Sequence, residues 1–369
     1  MAIDKVVSAS ITDSSVTSAK VASGVLQPNF RNLLINGDMR VDQRDATTTV
    51  NSTSVAYNLD RFLGRGVGSA GVFTLEQDTT SPDNFTNSLK ATVTTADSSP
   101  ASGSSYRIQQ MVEGNNIAHL NWGSSSARTV TLSFYVYSSV TGTFGGSIGN
   151  GNYDRFYVFS YTVSSANTWE RKTISITGDT SGTWPTDTSL AIRVNWSLGA
   201  GSTYLASAGS WGSSAKEGVT GQTNLISTNS ATFRITGTQL EVGSAASDFE
   251  FLPNDVNFAR CQRYYFLHSN GNGDVGSMTS YYNANQLGGE IFFPCTMRTT
   301  PTLTATTGTD YYTNFRSGAT DGFNEIVNGK SSSHQCSWYA TGGVSGSAGD
   351  SGFYRNGNAS AKVEFSAEL

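Results

Sequence analysis

Apolar and polar residues alternate along much of this chain in short runs of five to ten residues. In the run 129–138, Val130, Leu132 and Phe134 alternate with hydroxyl-bearing side chains. A two-residue period predicts an antiparallel strand with one face in the core and the other towards solvent. Similar runs recur between Gly, Ser, Asn and Asp clusters, so eight to ten strands are expected before Pro253. The pattern predicts an all-β sandwich or jelly roll.

The run RNLLIN (31–36) predicts a buried strand that ends at the Asn36-Gly37 turn. Residues 254–266 form the one segment with a helical pattern, with Asn254 as its expected N-cap. About 100 residues with strand patterns of their own follow, including 289–296 and 361–369. We therefore expect a second, smaller β-domain behind a short connecting helix.

In the first 28 residues, the spacing of apolar residues differs from that in the rest of the chain. Apolar residues recur there at every fifth position: Val6, Ile11, Val16, Val21 and Leu26. This spacing fits neither a helix nor a strand, but identical chains wound around one axis would bury such a stripe. The segment 1–28 is therefore interpreted as an attachment segment or a trimeric stalk. The alternative is a polar tail in which the spacing is coincidental.

The composition and charge of the chain argue against several classes of protein. Charged residues make up only 14% of the 369 residues, whereas 16 Tyr, 19 Phe and 6 Trp supply ample material for packed cores. The net charge is −5 and no polybasic run occurs, which argues against nucleic acid as a partner. No apolar stretch is long enough for a membrane span, and no signal peptide is recognised. Synthesis in a host cytoplasm is therefore expected.

The sequence gives little support for a catalytic site or for a disulfide framework. The three histidines fall in no catalytic motif, and no spacing selects a pair among the carboxylates Glu113, Asp154, Glu170 and Asp187. A polysaccharide-cleaving spike would need such a pair, so we expect no enzymatic activity. The three cysteines, an odd number, cannot form a closed disulfide framework and are expected to be reduced and buried.

Several phrases, taken in order, resemble one family. They are NLLINGDMRVDQR (32–44) with NLDRFLGRG (58–66), the strand pair at 168–185, the closing strands at 220–251, and ARCQRYYF (259–266) with the C-terminal KVEFSAEL. Together they resemble bacteriophage tail-fibre and virion appendage proteins with a jelly-roll domain like that of carbohydrate-binding modules. The chain departs from the family pattern at Asp38-Met39 and at Phe62, where Asn-Phe and Trp are more usual.

The resemblance implies an attachment segment at 1–28, a jelly roll at 29–253 and a smaller C-terminal β-sandwich domain at 254–369. It further implies a homotrimeric tail fibre or spike in the virion, attached to other virion proteins through 1–28 and contacting host surface polysaccharide. A purely structural head fibre, decoration protein or tail adaptor is the alternative. An adaptor would bury its aromatic side chains in interfaces.

Sugar recognition needs aromatic faces beside hydrogen-bonding groups, so aromatics in polar loops are the candidates. In the first domain these are Trp184, Tyr204 and Trp211, with Asp187, Lys216 and Glu217 as polar neighbours; in the second they are Tyr281, Tyr282 and Trp338. The alternative for each tryptophan is a structural anchor that pins its loop. No cofactor is expected except a possible structural calcium, for which Asp38 and Glu241 are the candidate ligands.

Overall fold

A computed structural model of the protein describes residues 30–51, 53–68 and 70–369. The predicted attachment or stalk segment 1–28 lies outside the described residues. The described chain consists of β-strands, one α-helix and a few short 3-10 turns, which confirms the all-β prediction.

Strands of the first half form two sheets that pack face to face. Their bounds are β1 Thr48–Val50, β2 Val55–Tyr57, β3 Phe62–Val67, β4 Val72–Asp78, β5 Ser88–Thr95, β6 Ser105–Glu113, β7 Val130–Ser138, β8 Gly142–Asn150, β9 Phe156–Val163, β10 Glu170–Ile176, β11 Leu190–Ala200, β12 Leu205–Ala206, β13 Trp211–Gly212, β14 Gly218–Val219 and β15 Thr232–Val242. Sheet I has the order β1-β4-β5-β15-β7-β10, and sheet II has the order β13-β9-β8-β11-β6-β3-β2. Strands β12 and β14 belong to neither and form a separate parallel pair. From β5 to β11 the chain passes repeatedly between the two sheets, as in a jelly roll.

The core of this sandwich lies between the two sheets and is formed by the side chains on the inner face of each. Val130, Leu132 and Phe134 of β7 are fully buried there, which confirms the facing predicted from their alternation. Trp196 of β11 lies against Phe134 at a centroid distance of 5.9 Å. Complete burial of one such large apolar side chain contributes roughly 1.5–3 kcal/mol.

The sandwich contains more strands than the sequence pattern predicted. Strand β8 (GTFGGSIGN) was missed because its glycines carry no strand signal. A Cβ at Gly146 would collide with the Phe159 ring and with the backbone oxygen of Asn195. The glycine is therefore needed for close packing inside the sheet, which propensity alone does not report.

The predicted strand at 31–36 is wrong, although the segment is buried as expected. Leu33 N donates to the Leu240 carbonyl of β15 at 2.9 Å, but the other backbone N–H groups from Asn32 to Asn36 bind side chains. Ile35 N donates to Gln110 Oε1 at 2.8 Å, and Asn36 N donates to Asn257 Oδ1 at 3.2 Å. Asn36 has φ 59° and uses its own side chain to bind Val41, so the predicted turn is present.

Helix α1 (Asn254–Gln262) connects to the second group of strands. Its N-cap is Pro253, one residue before the predicted Asn254. The strands that follow are β16 Tyr265–Asn270, β17 Val275–Asn283, β18 Gln286–Phe292, β19 Thr302–Ala305, β20 Tyr312–Arg316, β21 Ala319–Phe323, β22 Val327–Ser331, β23 Gln335–Ala340, β24 Ser351–Asn356 and β25 Lys362–Ser366. They form a three-stranded sheet, β16-β25-β19, packed on a seven-stranded sheet, β21-β20-β24-β17-β18-β23-β22.

The two sandwiches share no sheet, but they are in contact. Ile35 and Val41 pack with Cys261 and Tyr264 in a small separate core, and Arg263 forms an ion pair with Glu113 at 3.0 Å. Independent folding of the predicted domains 29–253 and 254–369 stays a prediction.

The three cysteines are unpaired. Cys261 and Cys336 are buried as expected, whereas Cys295 is only half-buried. Burial raises the pKa of the Cys261 thiol well above its usual value. In the part of the chain that the structure describes, no helix has the length and apolar character to cross a bilayer.

Candidate functional site

Three tryptophans from distant parts of the sequence meet in the first sandwich. The Trp122 ring lies 4.7 Å from that of Trp184 and 5.4 Å from that of Trp211, and Trp184 and Trp211 are 5.6 Å apart. All three pairs are edge-to-face, the arrangement that aromatic quadrupoles favour. The structure thus brings together the two tryptophans predicted from the sequence and adds Trp122, which the sequence analysis did not select although it also lies in a polar loop, NWGSSS (121–126).

Each indole N–H of this tryptophan cluster is used by the protein itself. Trp122 donates to the Arg128 carbonyl at 2.8 Å, Trp184 to Ser181 at 3.1 Å and Trp211 to Thr177 at 2.8 Å. These bonds tie three loops to the cluster, as the anchor interpretation expected. Trp122 and Trp184 are only 7% and 8% exposed, so little of either ring is open to solvent.

A cavity of about 190 Å³ adjoins the cluster, and we call it the tryptophan pocket. It is lined by Ile117, Ala118, Asn121, Trp122, Ser124, Trp184 and Thr186. Indole rings beside amide and hydroxyl groups are the combination that a pyranose ring needs: apolar contact for its C–H groups and partners for its hydroxyls.

The remaining first-domain candidates lie elsewhere. Tyr204 is half-buried, and its carbonyl accepts a hydrogen bond from Glu217 N at 2.8 Å. Lys216 donates to the Thr203 carbonyl at 2.6 Å, and the Asp187 side chain accepts from Ser189 N at 2.8 Å. These polar groups hold loops in place, so they are not assembled with the tryptophans around one ligand.

In the second sandwich, Tyr281 and Trp338 correct the sequence interpretation. Both rings are only 2% exposed, and Trp338 stacks on Phe323 with centroids 6.0 Å apart. The Tyr281 hydroxyl donates to Asp321 at 2.8 Å. These two rings are core residues and offer no face to a sugar. Tyr282, the next residue on β17, points outwards and is 80% exposed.

The two calcium candidates are both buried and both bound to arginine. Asp38 pairs with Arg40 and accepts a hydrogen bond from Asn257 at 3.2 Å. Glu241 is 4% exposed and lies 3.5 Å from Arg31. Within residues 30–51, 53–68 and 70–369, no three His, Cys, Asp or Glu side chains are grouped to hold a metal. A structural calcium stays a prediction.

The outer face of sheet II carries a polar row that the sequence analysis missed. Gln109 of β6, Asn195 of β11 and Ser147 of β8 lie opposite one another in register. Gln109 Nε2 donates to Asn195 Oδ1 at 2.7 Å, and Asn195 Nδ2 donates to Ser147 Oγ at 2.9 Å. The alternation in LAIRVNWSL predicts this facing, since Arg193, Asn195 and Ser197 interrupt its apolar positions.

Three arginines flank this row. Arg65 of β3 lies directly opposite Arg107 of β6, while Arg193 of β11 lies opposite Met111 on the other side of the row. Tyr153 bridges the two sides, because its ring centroid is 3.9 Å from Arg193 Cζ and its hydroxyl accepts a hydrogen bond from Arg65 at 2.8 Å. We call Arg65, Arg107, Arg193 and Tyr153 the arginine face.

Burial lowers the pKa of two arginines in the arginine face. Burial, with a contribution from the neighbouring Arg65 and Arg107 charges, lowers the pKa of Arg193 to about 10. Desolvation also lowers the pKa of Arg107, although its ion pair with Glu217 opposes the shift. Arg107 Nε, Arg193 Nε and Gln109 Oε1 are buried without a hydrogen-bond partner. The two Nε–H groups can donate further hydrogen bonds, Gln109 Oε1 can accept one, and the guanidinium charges favour an anion.

No protein-family model matches the sequence, and no similar sequence is found among curated proteins. Among solved structures, the enzymatically active domain of tailspike protein 4 of bacteriophage CBA120 is similar at a TM-score of 0.29 and 14% identity; the match covers 58% of this chain and 22% of that one. A family 4 carbohydrate-binding module matches at a TM-score of 0.28 and 13% identity, over 50% of this chain and 95% of the module.

A family 11 carbohydrate-binding module from Clostridium thermocellum, solved with a β-1,3-1,4-mixed-linked tetrasaccharide, matches at a TM-score of 0.27 and 13% identity. That match covers 55% of this chain and 97% of the module. The chain thus spans about a fifth of the tailspike domain and nearly all of each module. Similarity at these TM-scores and identities does not identify a function.

Proposed function

We propose that this protein is a structural bacteriophage virion protein, a homotrimeric tail fibre or spike that binds host surface glycans without cleaving them. The observation that carries the proposal is the tryptophan pocket. Trp122 and Trp184 meet there with the side chains of Asn121, Ser124 and Thr186 around a cavity of about 190 Å³. One such pocket offers few contacts, so each site binds weakly. Three copies in a fibre, and several fibres in a particle, convert weak contacts into stable adhesion.

The trimer is supported by the apolar spacing in residues 1–28 and by the surface next to that segment. Phe30, the first described residue, and Phe251 are exposed and line a groove of about 460 Å³. An exposed apolar patch favours an interface, here with a second copy of the chain. The expected test is a Phe251→Ser variant, whose solution mass should fall towards that of a monomer while its circular dichroism stays unchanged.

A second candidate function is that of a purely structural head fibre, decoration protein or tail adaptor. The observation that favours it is the use of all three indole N–H groups to anchor loops, together with the burial of Tyr281 and Trp338 in the second core. Under this alternative the tryptophan pocket has no ligand.

Blocking the pocket separates the two candidates. Ala118 lines the pocket and is exposed, so Ala118→Tyr fills it without entering the core; His119→Tyr, at the next and equally exposed position, is the matched control. Labelled protein is titrated onto host cells with extracted surface polysaccharide as competitor. Glycan binding through the pocket predicts saturable, competable binding that is lost in Ala118→Tyr and kept in His119→Tyr. Equal binding by both variants would remove the pocket from the proposal, and no binding by an intact wild-type trimer would favour the structural role.

A further inference from the structure

The arginine face carries more positive charge than the neighbouring carboxylates neutralise. Arg65, Arg107 and Arg193 contribute three guanidinium groups, and Glu217 contributes one carboxylate. Among the described residues, neither Arg65 nor Arg193 forms an ion pair with a carboxylate. Arg65 and Arg107 are direct cross-strand neighbours, a placement that repels like charges. A buried cation without a partner is strongly unfavourable, so this arrangement calls for an anion.

Arg61, a buried arginine elsewhere in the protein, provides a comparison for the partners of Arg193. Arg61 is fully buried, and it pairs with the Glu368 carboxylate. Arg193, only 7% exposed, instead donates to the Gly151 carbonyl at 3.1 Å and faces Met111 Sδ at 3.9 Å, with no carboxylate among its described partners.

We propose that the arginine face is a binding site for the carboxylate of an acidic saccharide, held between Arg65 and Arg193 beside Tyr153. A carboxylate there accepts charge-assisted hydrogen bonds from the two guanidinium groups that lack an acidic partner. Arg107, already paired with Glu217, contributes through its field and acts as a positioning residue.

The polar row next to the arginines favours a saccharide over other carboxylates. Gln109, Asn195 and Ser147 present amide and hydroxyl groups along three neighbouring strands, and Gln109 Oε1 has no donor of its own. These groups match sugar hydroxyls, which both donate and accept. The inference rests on the proposed function for its ligand class, but it uses a site separate from the tryptophan pocket.

Entry to the site is at Tyr153. Arg65 and Tyr153 are half-buried, whereas Arg107 and Gln109 are fully buried behind them. Tyr153 lies in the short connection between β8 and β9 with φ 61°, a conformation unusual for a non-glycine residue. The ligand carboxylate replaces the Tyr153 hydroxyl as the acceptor for Arg65, and the ring moves aside with its loop.

The test is a calorimetric titration of the full-length protein with oligogalacturonate. Three other probes accompany it: a neutral maltooligosaccharide of the same length, a glutamate oligopeptide and inorganic phosphate. We expect oligogalacturonate alone to bind, with an affinity that falls as salt rises. Equal binding of the glutamate peptide or of phosphate would overturn the saccharide assignment, and no binding of any probe would overturn the site.

Variants assign the binding to these residues. Arg193→Met and Arg65→Gln should each weaken oligogalacturonate binding about tenfold or more, since each removes a charged hydrogen-bond donor. Arg171→Gln, which removes an exposed arginine on β10 of sheet I, should bind like the wild type. Without ligand, Arg193→Met should melt no lower than the wild type, because the substitution removes an unpaired buried charge. Unchanged affinity in both face variants would overturn the proposal.

The two binding proposals fail separately. Ala118→Tyr should leave oligogalacturonate binding intact, and Arg193→Met should leave the tryptophan pocket intact. If Arg193→Met and Arg65→Gln bind oligogalacturonate like the wild type while Ala118→Tyr loses cell binding, the arginine-face proposal is overturned and the proposed function is kept.

Discussion

Arg61, at the turn before β3, forms a buried ion pair with Glu368, the penultimate residue of the chain. The Arg61 guanidinium also stacks on the Tyr264 ring at 3.5 Å and donates to the Met111 carbonyl at 2.5 Å. Glu368 binds Arg44 as well, at 3.3 Å. One ion pair thus joins the first sandwich, the end of helix α1 and the C-terminus.

Glu368→Gln should destabilise the protein strongly. The substitution removes the only negative charge that Arg61 meets among its described hydrogen-bond partners and leaves a buried cation unpaired. Loss of one partner of a buried pair typically costs about 3–5 kcal/mol. Urea unfolding followed by tryptophan fluorescence measures the change. Asp83→Asn, which removes an exposed carboxylate, should stay within about 0.5 kcal/mol of the wild type. Similar midpoints for both variants would contradict the role of the pair.

Asp60 should make stability fall as pH rises. Burial raises its pKa from 3.8 to about 6, so between these values the folded protein holds a proton that the unfolded chain has released. The free energy of unfolding then falls with rising pH, by about 3 kcal/mol across the window. In Asp60→Asn this contribution is lost, so the free energy of unfolding should rise more steeply with pH than in the wild type. Unfolding curves at pH 4, 5 and 6 give the slope, and an unchanged slope in the variant would rule out Asp60 as its source.

His268 should make the free energy of unfolding rise with pH, opposite to the contribution of Asp60. Burial lowers its pKa from 6.5 to about 4, so over that range the unfolded chain binds a proton that the folded protein excludes. Stability therefore rises with pH between about 4 and 6.5. The wild-type profile combines both contributions and should be nearly flat from pH 4 to 6. His268→Gln should expose the downward slope of Asp60, and Asp60→Asn the upward slope of His268. Slopes of the same sign in the two variants would contradict this assignment.

Trp338 and Tyr282 should respond differently to truncation, although both were sequence candidates for sugar contact. Trp338→Ala removes a ring packed on Phe323 and Tyr354 and should cost about 3–5 kcal/mol. Tyr282→Ala trims an exposed side chain and should change stability by less than about 0.5 kcal/mol. Thermal melts of the two variants provide the comparison. Equal melting temperatures would show that the Trp338 ring is not part of the core.

Strand positions were largely predictable because they depend on local alternation. The run Ser88–Thr95 forms a strand as its local alternation predicts. The run 31–36 was predicted as a strand for the same local reason. Its hydrogen-bond partners, Gln110 and Asn257, come from distant parts of the chain, and no local pattern contains them.

The candidate sites depended on tertiary structure to different degrees. Aromatic residues in polar loops identified Trp184 and Trp211, but their contact with Trp122 arises only when the chain folds. Asp60 and Arg61 are adjacent in sequence, but Asp60 binds Gln43 and the ion-pair partner of Arg61 is Glu368. Adjacent residues on a tight turn point in different directions, so neighbours in sequence need not be partners.

The sequence by itself determined the all-β class, the core faces of the long strands and the break near Pro253, because burial periodicity and turn chemistry are local properties. Tertiary structure alone decided which polar side chains share a face. Arg65, Arg107 and Arg193 come from three strands that are far apart in sequence, and strand order and register place them together. Register is a long-range property, because a shift of one residue in any of these strands would turn its arginine to the opposite face.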